Sequence, residues 1–165
     1  MKKFIKGFVW CACLSLLSAC ESGKDVAAGK NDDGEGIISE EDSYLRGSAA
    51  EFIAKAGDRV FYAYDKSNIS PEAQETLARQ AAWLKANGSF RVLIEGHCDE
   101  RGTREYNIGL GERRANAAAR FLENQGISSQ RIRTISYGKD RPIAGSGPQE
   151  EINRINRVAI SVIER

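Results

Sequence analysis

The sequence predicts an α/β two-layer sandwich built around one sheet, and three observations lead there. Four short runs rich in β-branched and aromatic residues, "RVFYAYD", "FRVLIEGH", "RIRTISYG" and "NRVAISVIE", read as strands. Between them lie helical segments long enough to act as crossovers, which gives the order β-α-β-α-β-α-β. The 165 residues, 41% hydrophobic, have room for one compact domain and a modest tail.

Order is expected to begin at Ser48. Ser48 and Glu51 have capping-box spacing ahead of Phe52-Ile53-Ala54, and Gly57 can end that short helix. A first strand follows over Arg59–Tyr64. The second helix has Ser70 as N-cap, Pro71 at its first position and Asn87-Gly88 as its stop, with Ala73, Leu77, Ala81 and Leu84 forming the buried face. Phe90–His97 is the second strand, with Phe90, Val92 and Ile94 on one face. A long helix over 103–124 carries Ile108, Ala115, Ala118, Ala119 and Leu122 on one stripe, and Gly126 stands just past its end. The third and fourth strands are separated by a short helix over 148–153.

The N-terminus is read as lying outside this fold. "MKKFIKGFVWCACLSLLSAC" joins a basic start (Lys2, Lys3, Lys6) to an apolar run and small residues, the pattern of an export signal over residues 1–19. About eleven apolar residues are too few to cross roughly 30 Å of hydrocarbon. Leu17-Ser18-Ala19-Cys20 resembles a lipobox, which implies lipidation at Cys20 and cleavage before it. Two or three acyl chains, at about 0.8 kcal/mol per buried CH₂, anchor a protein stably where one does not. Glu21 after that cysteine, where an Asp would signal retention, implies sorting to the outer membrane. Residues 20–47 are rich in Gly, Asp, Glu, Ser and Lys, and read as a flexible tether. Such a chain spans about 30 Å on average and roughly 90 Å when stretched. The domain then occupies residues 48–165. With Cys11 and Cys13 in the signal and Cys20 lipidated, Cys98 has no partner for an intramolecular disulfide.

The chemistry concentrates in "GHCDERGTREYNIGLGERRANAAARFL", Gly96–Leu122. His97 and Cys98 are neighbours, so on a strand they point to opposite faces, and the chain has no second histidine to serve as base for a cysteine nucleophile. One His, one Cys and one Asp in a row lack metal-ligand spacing, so no metal or other cofactor is implied. Gly109-Leu110-Gly111 sits inside a helical run without the rest of a nucleotide loop. Arg101, Arg104, Arg113, Arg114 and Arg120 interleave with Glu100, Glu105, Glu112 and Glu123, and the whole chain has Lys+Arg 24 against Asp+Glu 23. That balance leaves no bulk electrostatic case for nucleic acid. Arg131, Arg133 and Arg141 add rim charge without making a basic groove.

Asp99 follows the end of a strand, in a turn containing Gly102, and Arg114 lies on the next helix. A carboxylate and a guanidinium so placed suit a zwitterion: the first accepts from an ammonium, the second grips a carboxylate through two parallel hydrogen bonds. Spacing alone is equally compatible with Asp99 and Arg114 pairing with each other.

The frame Asp99-x-x-Gly102-x₄-Asn107-x-x-Leu110-x₃-Arg114-Ala115 resembles the signature of the OmpA-like peptidoglycan-binding domain, and the likeness runs from about Arg59 to Ile163. The resemblance implies a mixed four-stranded sheet with helices on one face. It implies a ligand, the peptidoglycan stem peptide recognised through meso-diaminopimelate, and no enzymatic activity. Asp99 and Arg114 match the gripping positions, Asn107 and Leu110 match positions that shape the site, and Tyr64, Asp65 and His97 match its rim. Tyr64 replaces the family's common Phe, and "NRINRVAI" leaves open whether Arg154 or Arg157 fills the family's C-terminal arginine position. The lipid-anchored members that the chain is most similar to imply a second partner, the periplasmic propeller protein TolB, and the Tol envelope system.

Overall fold

The computed structural model describes residues 47–165, and the expectations for the signal segment, Cys20 and the tether lie outside the described residues. Ser48 caps α1 (Ala49–Ala56) by accepting from Glu51 N–H, and the Glu51 carboxylate turns back to accept from Gly47 N–H at 2.6 Å. β1 (Arg59–Phe61) leads through a loop to α2 (Pro71–Ala86), where Ser70 Oγ accepts from Ala73 N–H at 3.2 Å and Pro71 supplies a preset φ. β2 (Arg91–His97) is followed by α3 (Arg104–Asn124), capped by Thr103. A 3₁₀ turn at Ser129–Arg131 precedes β3 (Ile132–Gly138), and α4 (Gln149–Asn156) precedes β4 (Val158–Glu164).

The sheet order is β1-β4-β2-β3. β2 and β3, joined through α3, are parallel, while β4 lies antiparallel to both β1 and β2. This mixed four-stranded sheet and its helix layer form the expected two-layer sandwich. The expected helix faces are buried, Ala73, Leu77, Ala81 and Leu84 on α2 and Ala115, Ala118, Ala119 and Leu122 on α3, whereas Ile108, expected on the same stripe, is only half-buried. They meet Phe90, Val92 and Ile94 of the sheet, and Trp83 stacks between Phe52 and Phe90 with ring centroids 5.2 and 5.4 Å away. Each of these aromatics removes 150–250 Å² from water, so they dominate this end of the core.

Two expectations differ in detail. The first strand stops at Phe61 instead of Tyr64. Tyr62 N–H still bonds Arg157 O at 2.9 Å, but beyond it Asp65 adopts φ 54° and the carbonyls of Ala63 and Lys66 turn toward a buried arginine. Arg131 is not a rim charge. Its guanidinium donates to Leu84 O, Asn87 O and Phe90 O at 2.8, 3.0 and 2.8 Å, satisfying carbonyls at the C-terminus of α2.

The topology gathers three chain segments at one end of the sheet. β1 runs toward its pairing Phe61↔Val158, β2 toward Gly96↔Ala159, and β4 begins there. The segments after Phe61, after His97 and before Val158 therefore converge. α3 can lie against this end because Gly96 and Gly111 have no side chains. A Cβ on Gly96 would stand 1.9 Å from Gly111 O, and one on Gly111 would stand 2.3 Å from Ser136 Oγ. Gly111, which superficially suggests a nucleotide loop, is thus a helix–strand contact.

Gly96→Ala is expected to lower stability by about 2–3 kcal/mol, the order seen on overpacking a tight contact, and the melting temperature by roughly 10 °C. Gly88→Ala, where a Cβ meets nothing within 4 Å, is the control and should change little. Thermal unfolding of both variants by circular dichroism checks this, and an unaltered Gly96→Ala melt would contradict it.

Candidate functional site

At this convergent end, a pocket of about 220 Å³ is lined by Tyr64, Asp65, Asp99, Arg101, Gly102, Tyr106, Asn107, Leu110 and Arg114. The structure thus brings together six of the seven residues expected there: Asp99, Arg114, Tyr64, Asp65, Asn107 and Leu110. His97 is the exception. Its ring faces away from the pocket, with Nδ1 3.0 Å from Arg141 O and the ring 5.5 Å from that of Tyr137. Strand alternation sends the two neighbours to opposite sides, and only the His97 main chain serves the pocket. Burial holds its pKa below the ordinary value, and the hydrogen bond to Arg141 and the nearby Glu95 carboxylate offset this only in part. The ring is therefore neutral near pH 7.

Asp99 is 4% exposed, and Asp99 and Arg114 do not pair with each other. Asp99 Oδ2 accepts from Arg101 Nη2 at 2.5 Å and Nε at 3.2 Å, and from Arg157 Nη1 at 3.3 Å. Its Oδ1 accepts from Arg101 N–H at 3.3 Å. Burial raises the pKa of this carboxyl, but the hydrogen bonds and charge of Arg101, supported by Arg157, more than offset that and leave it below the ordinary value. Asp99 is an anion throughout the neutral range.

Arg114 is 1% exposed and is the largest fully buried side chain of the domain. Its Nε donates to Lys66 O at 2.9 Å, Nη1 to His97 O at 2.7 Å and to Cys98 Sγ at 3.4 Å, and Nη2 to Ala63 O at 3.3 Å. Four of the five guanidinium N–H groups are thereby engaged. The two-pronged grip expected of Arg114 is therefore not free in this state, because its fork is spent on holding the loop after β1 against the end of β2. Tyr62 completes the cage, with its hydroxyl donating to Arg114 O at 2.9 Å and its ring centroid 5.2 Å from the guanidinium.

Asn107 shapes the turn. Its Nδ2 donates to Arg101 O at 2.7 Å and Thr103 O at 3.0 Å, closing the 99–103 segment around Gly102, whose φ is 89°. Leu110 supplies an apolar wall at 5% exposure. At the mouth, Tyr64 is 57% exposed with the Arg101 guanidinium 3.9 Å from its ring centroid, and the Tyr106 hydroxyl donates to the Asp65 carboxylate.

Two residues of the site, Arg101 and Tyr106, have no assigned role in the sequence reading, and the choice between Arg154 and Arg157 is open there. Arg101 is the solvent-accessible cation of the pocket, and its position two residues after Asp99 was the available signal. Tyr106 is half of the clasp at the mouth, and nothing in its spacing marks it. Arg157, not Arg154, reaches Asp99: it lies 58 residues away and also donates to Tyr62 O at 3.1 Å, whereas Arg154 pairs with Glu151 on the surface of α4. The geometry also disposes of a cysteine nucleophile. The Cys98 thiol is buried, donates to Asn107 O at 3.4 Å, has its pKa raised by burial, and has no imidazole on its side of the strand. Among the described residues, no group of three or more His, Cys, Asp or Glu is placed to hold a metal ion, and no helix is long and apolar enough to cross a membrane.

The chain matches the OmpA family over residues 61–156, a span that contains the whole pocket. It is 37% identical to the peptidoglycan-associated lipoprotein of Pseudomonas putida over 163 residues, which cover 97% of this chain and 98% of that one. It is 55% identical over 98 residues to the protein of that name from Mesorhizobium japonicum, which covers 59% of this chain and 58% of that protein, less than two thirds of its length. The crystal structure of the peptidoglycan-associated lipoprotein from Burkholderia pseudomallei superimposes with a TM-score of 0.62 at 34% identity, over 65% of this chain and 90% of that one. With the family match spanning its pocket and a relative that parallels it from end to end, the chain belongs to the OmpA family, among the peptidoglycan-associated lipoproteins.

Proposed function

We propose that this protein binds peptidoglycan non-covalently through the meso-diaminopimelate of the stem peptide and ties the outer membrane to the cell wall. The observation that carries this reading is the buried, ionised Asp99 at the floor of a pocket that also holds the Arg101 and Arg114 guanidinium groups, with the Asp65 carboxylate at its rim. The side chain of diaminopimelate ends in an ammonium and a carboxylate on one carbon. Its ammonium takes the place of Arg101 at Asp99. Its carboxylate then meets the released Arg101 fork and the remaining Arg114 N–H. One internal ion pair is exchanged for two across the interface, so no buried charge is left without a partner. Asp65 and Tyr64 form the rim, and Tyr64 retains an aromatic wall beside the ligand.

In the proposed whole, residues 1–19 are an export signal, Cys20 carries the lipid, residues 20–47 are the tether, and 48–165 are the binding domain. The domain stands in the periplasm, and the names of the relatives support the lipid anchor and the wall ligand. TolB and the Tol system are the further partners in envelope integrity and cell division, with TolB docking over the same end of the sheet and competing with the wall.

The full chain, purified in detergent, should bind a diaminopimelate-containing stem peptide saturably in a calorimetric titration. Asp99→Asn is expected to weaken binding by at least about thirtyfold, since removing one member of a buried charge pair costs 2–5 kcal/mol. Arg114→Lys should weaken it as well, because Lys cannot bridge three carbonyls. A stem peptide with Lys in place of diaminopimelate lacks the second carboxylate and should bind weakly. Absence of saturable binding by the unaltered chain would sink the reading.

The affinity should also follow the protonation of Asp99. Its folded pKa is depressed, so the charge and the stability it contributes are present above the ordinary aspartate value of about 3.9 and are lost as pH falls through the lower folded value. Binding should be flat from pH 7 to about pH 5 and fall only below about pH 4. A decline setting in between the ordinary histidine value of about 6.5 and about pH 5 would instead point to His97, whose pKa lies below that ordinary value.

A further inference from the structure

The chain from Cys98 to Gly102 separates the pocket already described from a second one. Asp99 and Arg101 face the first, while Cys98 and Glu100 face another cavity of about 220 Å³, closed on its far side by α4 and the loop after β3. Its walls are fixed by hydrogen bonds. Lys139 Nζ donates to Glu100 O and Gly102 O at 3.1 and 2.7 Å, bracing the partition. The Asn156 amide binds Ile143 N–H and Ala144 N–H at 2.7 and 2.9 Å and donates to Ala144 O at 3.0 Å, bracing the opposite loop. A run of side chains crosses the space. Gln149 Nε2 donates to Glu100 Oε1 at 2.9 Å and to Asn153 Oδ1 at 3.2 Å, and Asn153 itself is only 5% exposed. Pro142, Ala144 and Ile152 supply small apolar surface.

The charges here, Lys139 and Glu100, balance, so the cavity does not select an ion. Its polar groups are carboxamides, which donate and accept at once, beside apolar surface of methyl size. The geometry points to a second subsite, across the Asp99 partition, for a secondary amide carrying a methyl group on the same wall ligand. This rests on the peptidoglycan reading above. Because Asp99 and Glu100 are adjacent, the two subsites are within a few residues' reach of each other, about 10 Å. Two parts of the polymer offer that chemistry: the alanyl units of the stem peptide and the acetamido groups of the glycan.

The test titrates the full chain in detergent with three probes: free meso-diaminopimelate, the alanyl-containing stem peptide, and that peptide linked to its N-acetylated disaccharide. One of the two larger probes should bind roughly five- to twentyfold more tightly than the free amino acid, as one hydrogen-bonded amide and one buried methyl would give. Which step brings the gain identifies the source. In Gln149→Ala and Asn153→Ala the gain should shrink to within about twofold, and in the unaltered chain the side-chain amide NMR signals of both residues should shift with that probe. Gln149 is exposed, so its replacement keeps the test valid if Asn153→Ala fails to fold. Binding of free meso-diaminopimelate with no gain, or a gain that survives both substitutions, overturns the second subsite and leaves the first intact. No binding of any probe overturns both.

Discussion

Everything at the working end of this domain depends on one buried cation. Arg114 enters from the middle of α3 and is almost completely removed from water. A lone buried guanidinium would be prohibitively costly. Here the cost is offset by three carbonyls from two segments, Ala63 and Lys66 in the loop after β1 and His97 at the end of β2, with the Tyr62 ring alongside. The same bonds that satisfy the charge fix the loop that carries Tyr64 and Asp65. Arg114 is thus first a device for building the pocket, and any grip on a ligand comes from what remains of its hydrogen-bonding capacity.

That division of labour assigns different roles to the arginines around Asp99. Arg157, 8% exposed, is pinned by Tyr62 O and touches Asp99 from behind, so it helps to set the carboxylate in place and supports Arg101 in keeping it ionised. Arg101 approaches from the solvent side, with more than a third of its side chain accessible and its flat face on Tyr64. Only the arginine side of this pair is open to solvent, so Arg101 can exchange for another cation provided that the buried Asp99 carboxylate keeps a partner. The static pair holds the anion and the accessible pair can be replaced, which suits an empty site that must stay charge-balanced.

Much of the fold was legible because its signals are local. Capping side chains at Ser48 and Ser70 mark helix starts, and the apolar spacing on α2 and α3 picks out residues most of which pack inward. What was not legible is what depends on pairing at a distance. The early end of β1 follows from carbonyls diverted to Arg114 some fifty residues on, and the part played by Arg157 from a contact with Asp99 across 58. Asp99, Asn107, Leu110 and Arg114 share one strand–turn–helix unit, so the family motif that marks them in the sequence also predicts that they line one pocket. His97 was misplaced because the motif fixes its position in the chain, whereas strand alternation turns its ring to the other face, where Nδ1 meets Arg141 O.

The balance of charge in the pocket bears on strength as well as on selectivity. On the proposed reading, ligand and protein each give up a satisfied state, the ligand its hydration and the protein its Arg101–Asp99 pair, so the net gain per site is modest although the new pairs are close. Selectivity does not suffer, because a ligand that brings only one of the two charges leaves the other partner without a counter-ion in a largely buried setting. A weak but discriminating site is suited to a polymer that repeats its ligand and to a protein held beside it. If residues 20–47 are the proposed tether, a flexible linker of that length whose span matches the gap raises the effective concentration to about the millimolar range. Retention at the wall then comes from many short-lived contacts, and each domain can let go without the whole attachment failing.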